Sequence, residues 1–274
     1  MAYAVGHAGA RIYYEITGAG GPNVVLIQGL GLSSRFWFET PRLLSGDHRV
    51  ITLDNRGTGR SDRPRGPYRM THMADDVAAV LDAAGADRAY VVGISMGGMI
   101  AQEVALRHGP RVHGLVLLAT WAGLPHVHLP ALQTVATLLA LPLLGRRAGP
   151  ALSKLLLPPT HRRRARELLS AWPAALKAEP PDARAFFAQV AGAATHSTGF
   201  RLKRIDCPTV VVSGEKDVVM RKENGAILAR RIPNASHEIL PGVAHGIPIV
   251  DEAAIGRALA RLRQGSSSGP KARY

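Results

Sequence analysis

Short, uninterrupted apolar runs separated by helix-length segments constrain this chain more than any other feature. Val24-Val25-Leu26-Ile27, Ala89-Tyr90-Val91-Val92, Leu115-Val116-Leu117-Leu118 and Thr209-Val210-Val211-Val212 lack the polar alternation of a strand with one wet face. They are also short for buried helices, so they read as strands covered on both sides. Arg49-Val50-Ile51-Thr52-Leu53 and Glu238-Ile239-Leu240 add two more. Arg11-Ile12-Tyr13-Tyr14-Glu15-Ile16, stopped by a glycine-rich turn, reads as an outer antiparallel strand. Residues 71–84, 96–108 and 251–263 read as helices between and after them. This alternation predicts an α/β fold with a mostly parallel central sheet and helices on both faces.

Residues 121–200 break the rhythm. The segment is proline-rich, helical in character and bounded by apolar strands. It reads as a helical cap inserted into one sheet domain made of residues 1–120 and 201–264, with 265–274 as a flexible tail. A chain of 274 residues can bury roughly 70–75% of its unfolded surface, so it requires no disulfide or metal clip. Its single cysteine, Cys207, excludes an intramolecular disulfide and a cysteine-based zinc site. With 46% apolar and 20% charged residues, the chain is neither disordered nor collagen-like. The longest apolar stretch, residues 129–144, is interrupted by Pro130 and Pro142. It also falls short of the roughly 20 residues a membrane helix requires. No basic-then-apolar leader opens the chain, and a cytoplasmic location is expected.

The sharpest chemical signal is Gly93-Ile94-Ser95-Met96-Gly97-Gly98, between a strand and a helix. A serine at such a turn sits in a strained, exposed conformation at the carboxyl edge of the sheet, beside a helix amino end. Developing negative charge is favoured there. A serine hydroxyl is a weak nucleophile until a base is positioned beside it. Asp217 follows the fifth buried strand and His245 the sixth, so the order Ser95, Asp217, His245 supplies nucleophile, orienting acid and base. Glu215 and Asp206 are rival acids, but Asp206 precedes its strand and lies at the wrong edge. His237 is set aside as base because it precedes the last strand. Two backbone donors are expected at the oxyanion: Met96 N–H beside the nucleophile, and Leu30 N–H in Gln28-Gly29-Leu30-Gly31-Leu32.

These segments, with Asp54-Asn55-Arg56-Gly57-Thr58-Gly59-Arg60-Ser61, resemble the α/β-hydrolase superfamily over nearly the whole chain except the cap and tail. Within it the chain is most similar to small capped esterases, enol-lactonases and perhydrolase-like members. The resemblance implies an α/β-hydrolase fold, a Ser-His-Asp triad and no cofactor. It implies a loop-shaping role beside the active site for Arg56, Gly57, Gly59 and Ser61. The family's usual His-Gly pair is Gln28-Gly29 here. That histidine supports the oxyanion loop rather than reacting. Epoxide hydrolases and haloalkane dehalogenases of this fold carry aspartate at the elbow, which Ser95 excludes. Carbon–carbon bond hydrolases often carry asparagine before the serine, and Ile94 argues against them.

The expected activity is hydrolysis of a largely apolar ester or lactone through an acyl-enzyme. No Asp, Glu, Lys or Arg occurs between Val112 and Gly145. That stretch reads either as a well-packed strand and helix or as the wall of an apolar substrate pocket. Gln28, Trp121, His126, His128 and Leu132 are the candidate pocket residues. His126-Val127-His128 lacks a nearby acid or cysteine, so no metal site is expected. The chain carries 34 Lys+Arg against 20 Asp+Glu, a formal charge of +14, with 28 arginines to 6 lysines. No nucleic-acid motif accompanies the excess, which reads as composition rather than a nucleic-acid site. The arginines at 162, 163, 164 and 166 leave two readings: a solvated helix face, or a surface for an acidic carrier protein in a thioesterase or acyl-transferring cyclase. A non-catalytic ligand-binding protein of the same fold is the reading from outside enzymology.

Overall fold

In the computed structural model, which describes residues 2–144, 147–161, 179–180 and 182–267, the apolar runs form the middle of one sheet. The strands are β1 (Ala2–Val5), β2 (Arg11–Thr17), β3 (Asn23–Ile27), β4 (Arg49–Leu53), β5 (Ala89–Ile94), β6 (Val112–Leu118), β7 (Thr209–Gly214) and β8 (Ala235–Leu240). The helices are α1 (Thr40–Leu44), α2 (Met70–Ala83), α3 (Met96–Arg107), α4 (Leu132–Ala140), α5 (Ala148–Leu156), α6 (Ala183–Ala194), α7 (Lys222–Arg231), α8 (Ile247–Val250) and α9 (Ala254–Ser267).

The strand order is β1-β2-β4-β3-β5-β6-β7-β8. β1 and β2 pair antiparallel, and β2 pairs antiparallel with β4. From β4 to β8 every pairing is parallel. Every residue of β5 and β7 is buried, as expected where helices cover both faces. α2 and α3 pack on each other, α3 covers β3, β5 and β6, and α9 covers β6 and β7. The fold is thus the mostly parallel α/β sheet that the sequence predicts.

Three local expectations differ. β1 is only four residues long with a single buried residue, too short to announce itself, and forms by pairing along β2 at the sheet margin. The last strand begins at Ala235, so His237 lies inside it rather than before it, with Nε2 3.0 Å from Ser213 Oγ. The last helix runs to Ser267, beyond the expected end at 263, and residues 268–274 lie outside the described residues.

The segment between β6 and β7 leaves and rejoins the sheet at one place. Gly123 forms an antiparallel bridge with Ser197. Gln102 of α3 donates to Trp121 O at 2.9 Å, and Thr198 Oγ1 donates to Gln102 Oε1 at 2.6 Å. Arg201 pairs with the buried carboxylate of Glu103. Within this junction burial, aided by the Arg201 charge, lowers the pKa of His196 to about 3. The unfolded chain takes up that proton near pH 6.5, whereas the native chain stays neutral to about 3. Stability present above pH 6.5 is therefore lost as pH falls toward 3, by up to about 1.4 kcal/mol per pH unit. A His196→Leu variant should show a flatter dependence of urea-unfolding free energy between pH 6.5 and 4.5 than the wild type. Parallel curves would contradict this account.

Candidate active site

Ser95 occupies the left-handed region (φ 56°, ψ −121°), rare for a residue with a Cβ and of the kind that costs about 1–3 kcal/mol. The surroundings hold it there. Its N–H donates to Leu118 O at 2.9 Å, and its carbonyl accepts from Gly98 N at 2.9 Å and from Thr120 Oγ1 at 2.7 Å. The sharp turn brings backbones into close approach. A Cβ on Gly93 would stand 2.2 Å from Gly97 O, and one on Gly97 would stand 2.0 Å from Ile27 O. Only glycine fits at either position.

Asp217 and His245 meet across the loops after β7 and β8. Asp217 Oδ2 lies 2.8 Å from His245 Nδ1. Its Oδ1 accepts from the amides of Val219 and Met220, both at 2.8 Å. Each carboxylate oxygen is thus committed, and the Asp217 side chain is fully buried. A carboxylate only accepts, so His245 carries its proton on Nδ1 and keeps Nε2 as the free acceptor. The loops are laced together by Lys216 N donating to Val243 O at 2.8 Å and Glu215 N to Leu240 O at 3.0 Å. The rivals stand elsewhere. Glu215 carries a surface carboxylate that accepts from Gly242 N, which, with Lys216, holds its pKa low. His237 is tied to Ser213 within the sheet.

The glycine loop after β3 lies against Ser95. A Cβ built on Gly29 would be 3.3 Å from Ser95 Cβ and 3.8 Å from its Oγ. Gln28, buried where the family carries histidine, folds its Oε1 onto Gly29 N at 2.8 Å, and its carbonyl accepts from Asn55 Nδ2 at 2.9 Å. It therefore braces the loop rather than presenting its amide oxygen to a substrate. The amides of Leu30 and Met96 donate to no acceptor among the described residues. Gly31 N is held by Gln189 Oε1 at 2.9 Å. Sequence reasoning missed Gln189, whose one signal is a lone polar residue in the apolar run from Ala185 to Ala194.

The Asp54–Ser61 segment is fixed by charges and hydroxyls. Asp54 accepts from Ser34 N at 2.7 Å and from Arg60 N at 2.9 Å, and Ser61 Oγ donates to Asp54 O at 2.5 Å. Arg56 forms a two-point pair with Asp76, both contacts at 2.6 Å and both side chains buried. This agrees with a loop-shaping role and gives Arg56 no free charge for a substrate.

The remaining pocket candidates separate. Trp121 is half-buried against the main core, with its carbonyl taken by Gln102. His126 and His128 line a different cavity of about 530 Å³ with Pro125, Val127, Ile227, Arg230 and Arg231, which none of Ser95, Asp217 or His245 lines. Asn224 of α7 pins His128 there through both of its backbone groups. Leu132 is 87% exposed at the start of α4. In α4, within the uncharged stretch, Thr134 is buried and Leu138 packs half-buried against the main core. No group of three or more metal-ligating side chains occurs among the described residues. No helix among them is long and apolar enough to cross a membrane. The arginines at 162, 163, 164 and 166 lie outside the described residues.

The sequence matches the family described as alpha/beta hydrolase fold over residues 22–252. A protein named "Putative carbamate hydrolase RutD" from Caulobacter sp. (strain K31) is 31% identical over 271 residues, covering 94% of this chain and 97% of that protein. A protein of the same name from Azorhizobium caulinodans is 46% identical over 123 residues; that match spans 44% of this chain and 45% of that protein. Among solved structures, the esterase RhEst1 from Rhodococcus sp. ECU1013 superposes with a TM-score of 0.82 at 28% identity, covering 97% of this chain and 98% of that one. The match to the family over most of the chain, together with a relative above 30% identity along nearly its full length, makes this chain a member of the α/β-hydrolase fold family.

Proposed function

We propose that this chain is a serine hydrolase that cleaves a carboxylic ester or lactone through an acyl-enzyme. The observation that carries the reading is the buried Asp217–His245 hydrogen bond at 2.8 Å, combined with a strained serine at the strand–helix elbow. His245 Nε2 takes the proton of Ser95 Oγ as that oxygen bonds to the carbonyl carbon. The carbonyl electron pair moves to oxygen, where the Leu30 and Met96 N–H groups receive it. Collapse of the tetrahedral intermediate breaks the bond to the leaving alkoxide, which takes the proton from His245. Water, deprotonated by His245, then releases the acid and restores Ser95. Asp217 fixes the imidazole tautomer and stabilises the imidazolium. No cofactor enters this sequence.

Residues 121–200 act in this reading as a cap over a core of residues 1–120 and 201–264. An apolar part of this region lies beside the base. Leu156 O accepts from Gly246 N, next to His245, at 2.7 Å. Leu156 and Leu157 pack with Phe36 and Ile249 in a separate apolar cluster. A side of the substrate that meets this region gains by leaving water.

A carbamate is the second reading, favoured by the name of the 31%-identical relative. The same attack would leave a carbamoyl group on Ser95. A panel of p-nitrophenyl acetate, butyrate and octanoate against an N-alkyl carbamate of the same alcohol separates the two. Ester kcat/KM at least about tenfold above the carbamate value supports the first reading; the reverse order supports the second.

A further inference from the structure

The loop that carries Leu30 has little to hold it in place by itself. Among the described residues, the one backbone–backbone bond between Gly29 and Leu32 is Leu32 N to Gly29 O, long at 3.4 Å. Gly31 adopts φ +70°, and a Cβ built there would meet the Phe186 ring at 2.9 Å, so the loop lies directly on α6. From the same helix comes Gln189, with 0% of its surface exposed. Its Oε1 accepts from Gly31 N at 2.9 Å and its Nε2 donates to Arg56 O at 2.9 Å. One amide thus spans three segments far apart in sequence: the loop after β3, the loop after β4, and a helix of the inserted region. A buried amide whose two ends are both used is rigid, and removing it leaves Gly31 N–H and Arg56 C=O without these partners.

We propose that Gln189 is a positioning residue that holds Leu30 N–H in line with the developing oxyanion. The inserted region would thereby set turnover as well as cover the site. This inference rests on the serine-hydrolase reading and on Leu30 as an oxyanion donor. A displaced donor acts on the transition state and leaves ground-state binding nearly untouched, so the effect falls on kcat.

The test is Gln189→Met, which keeps length and volume and removes both hydrogen-bonding ends. Three quantities are measured on p-nitrophenyl butyrate: kcat, KM, and the inhibition constant of an alkyl boronic acid that forms a tetrahedral adduct with serine. We expect kcat to fall about 10- to 100-fold. KM should change by less than about threefold, and boronate affinity should weaken in step with kcat. Phe187→Leu, on the exposed side of α6, controls for general disturbance of the helix and should leave the ratio of boronate to substrate affinity unchanged. If the methionine variant does not fold, Gln189→Leu, which also lacks both ends, replaces it. A folded variant with kcat within twofold of wild type, or with kcat lost but boronate affinity intact, overturns the proposal while the wild type still turns over ester. Failure of the wild type itself to hydrolyse the ester, or to react at Ser95 with a fluorophosphonate, overturns the underlying reading and this inference with it.

Discussion

Ser95→Ala is expected to lower kcat for p-nitrophenyl butyrate by about 10⁵- to 10⁶-fold, with the far-ultraviolet circular dichroism spectrum and melting temperature close to those of the wild type. The size follows from what the hydroxyl does. Without Oγ there is no acyl-enzyme, and the oxyanion donors and binding alone leave only a small residual rate over water. The fold should hold because Ser95 is fixed by its backbone: its N–H and C=O are bonded to Leu118, Gly98 and Thr120, and among the described residues no hydrogen bond of its hydroxyl holds the turn. Alanine in the same left-handed conformation adds no new clash. Activity within tenfold of wild type would remove Ser95 from the reaction.

Asp217→Asn should lower kcat by about 10⁴-fold, next in size. The amides of Val219 and Met220 both require an acceptor, and in the wild type Oδ1 serves both. An asparagine keeps its carbonyl oxygen on those two amides and so turns its NH₂ toward His245 Nδ1. The imidazole must then accept at Nδ1 and carry its proton on Nε2, the atom that has to receive the serine proton. The substitution is nearly isosteric, so the geometry survives while the tautomer is wrong. Retained kcat, measured with the same ester, would place the orienting acid elsewhere, and Glu215 would be examined next.

The parts of this molecule that rest on local chemistry were legible in the sequence. Val24–Ile27 and Thr209–Val212 announce buried strands because burial on both faces leaves no place for a polar alternate, and Gly93 and Gly97 announce the elbow because no Cβ fits there. The reach of Asp217 to His245 followed from strand ends alone. What could not be read depends on packing between distant segments. Gln189 meets Gly31 across 158 positions, and nothing near either residue states the partnership. Leu132 reads in the sequence as a candidate pocket residue, and it stands 87% exposed at the start of α4; composition does not say which side of a short helix faces the protein. His126 and His128 read in the sequence as candidate pocket residues. The loop instead turns them toward α7, where Asn224 fastens it. The charge of +14 left little mark on the catalytic geometry: Arg56 and Arg60, in the loop after β4, are paired with Asp76 and Asp54.

The central claim is that Ser95 is an activated nucleophile. It is tested most directly by treating folded wild-type protein with a fluorophosphonate probe and locating the adduct by peptide mass spectrometry. We expect one adduct per chain, on Ser95, absent from Ser95→Ala and formed far more slowly in Asp217→Asn. Folded wild-type protein that takes up no probe at Ser95 would contradict the account and favour a ligand-binding member of the fold.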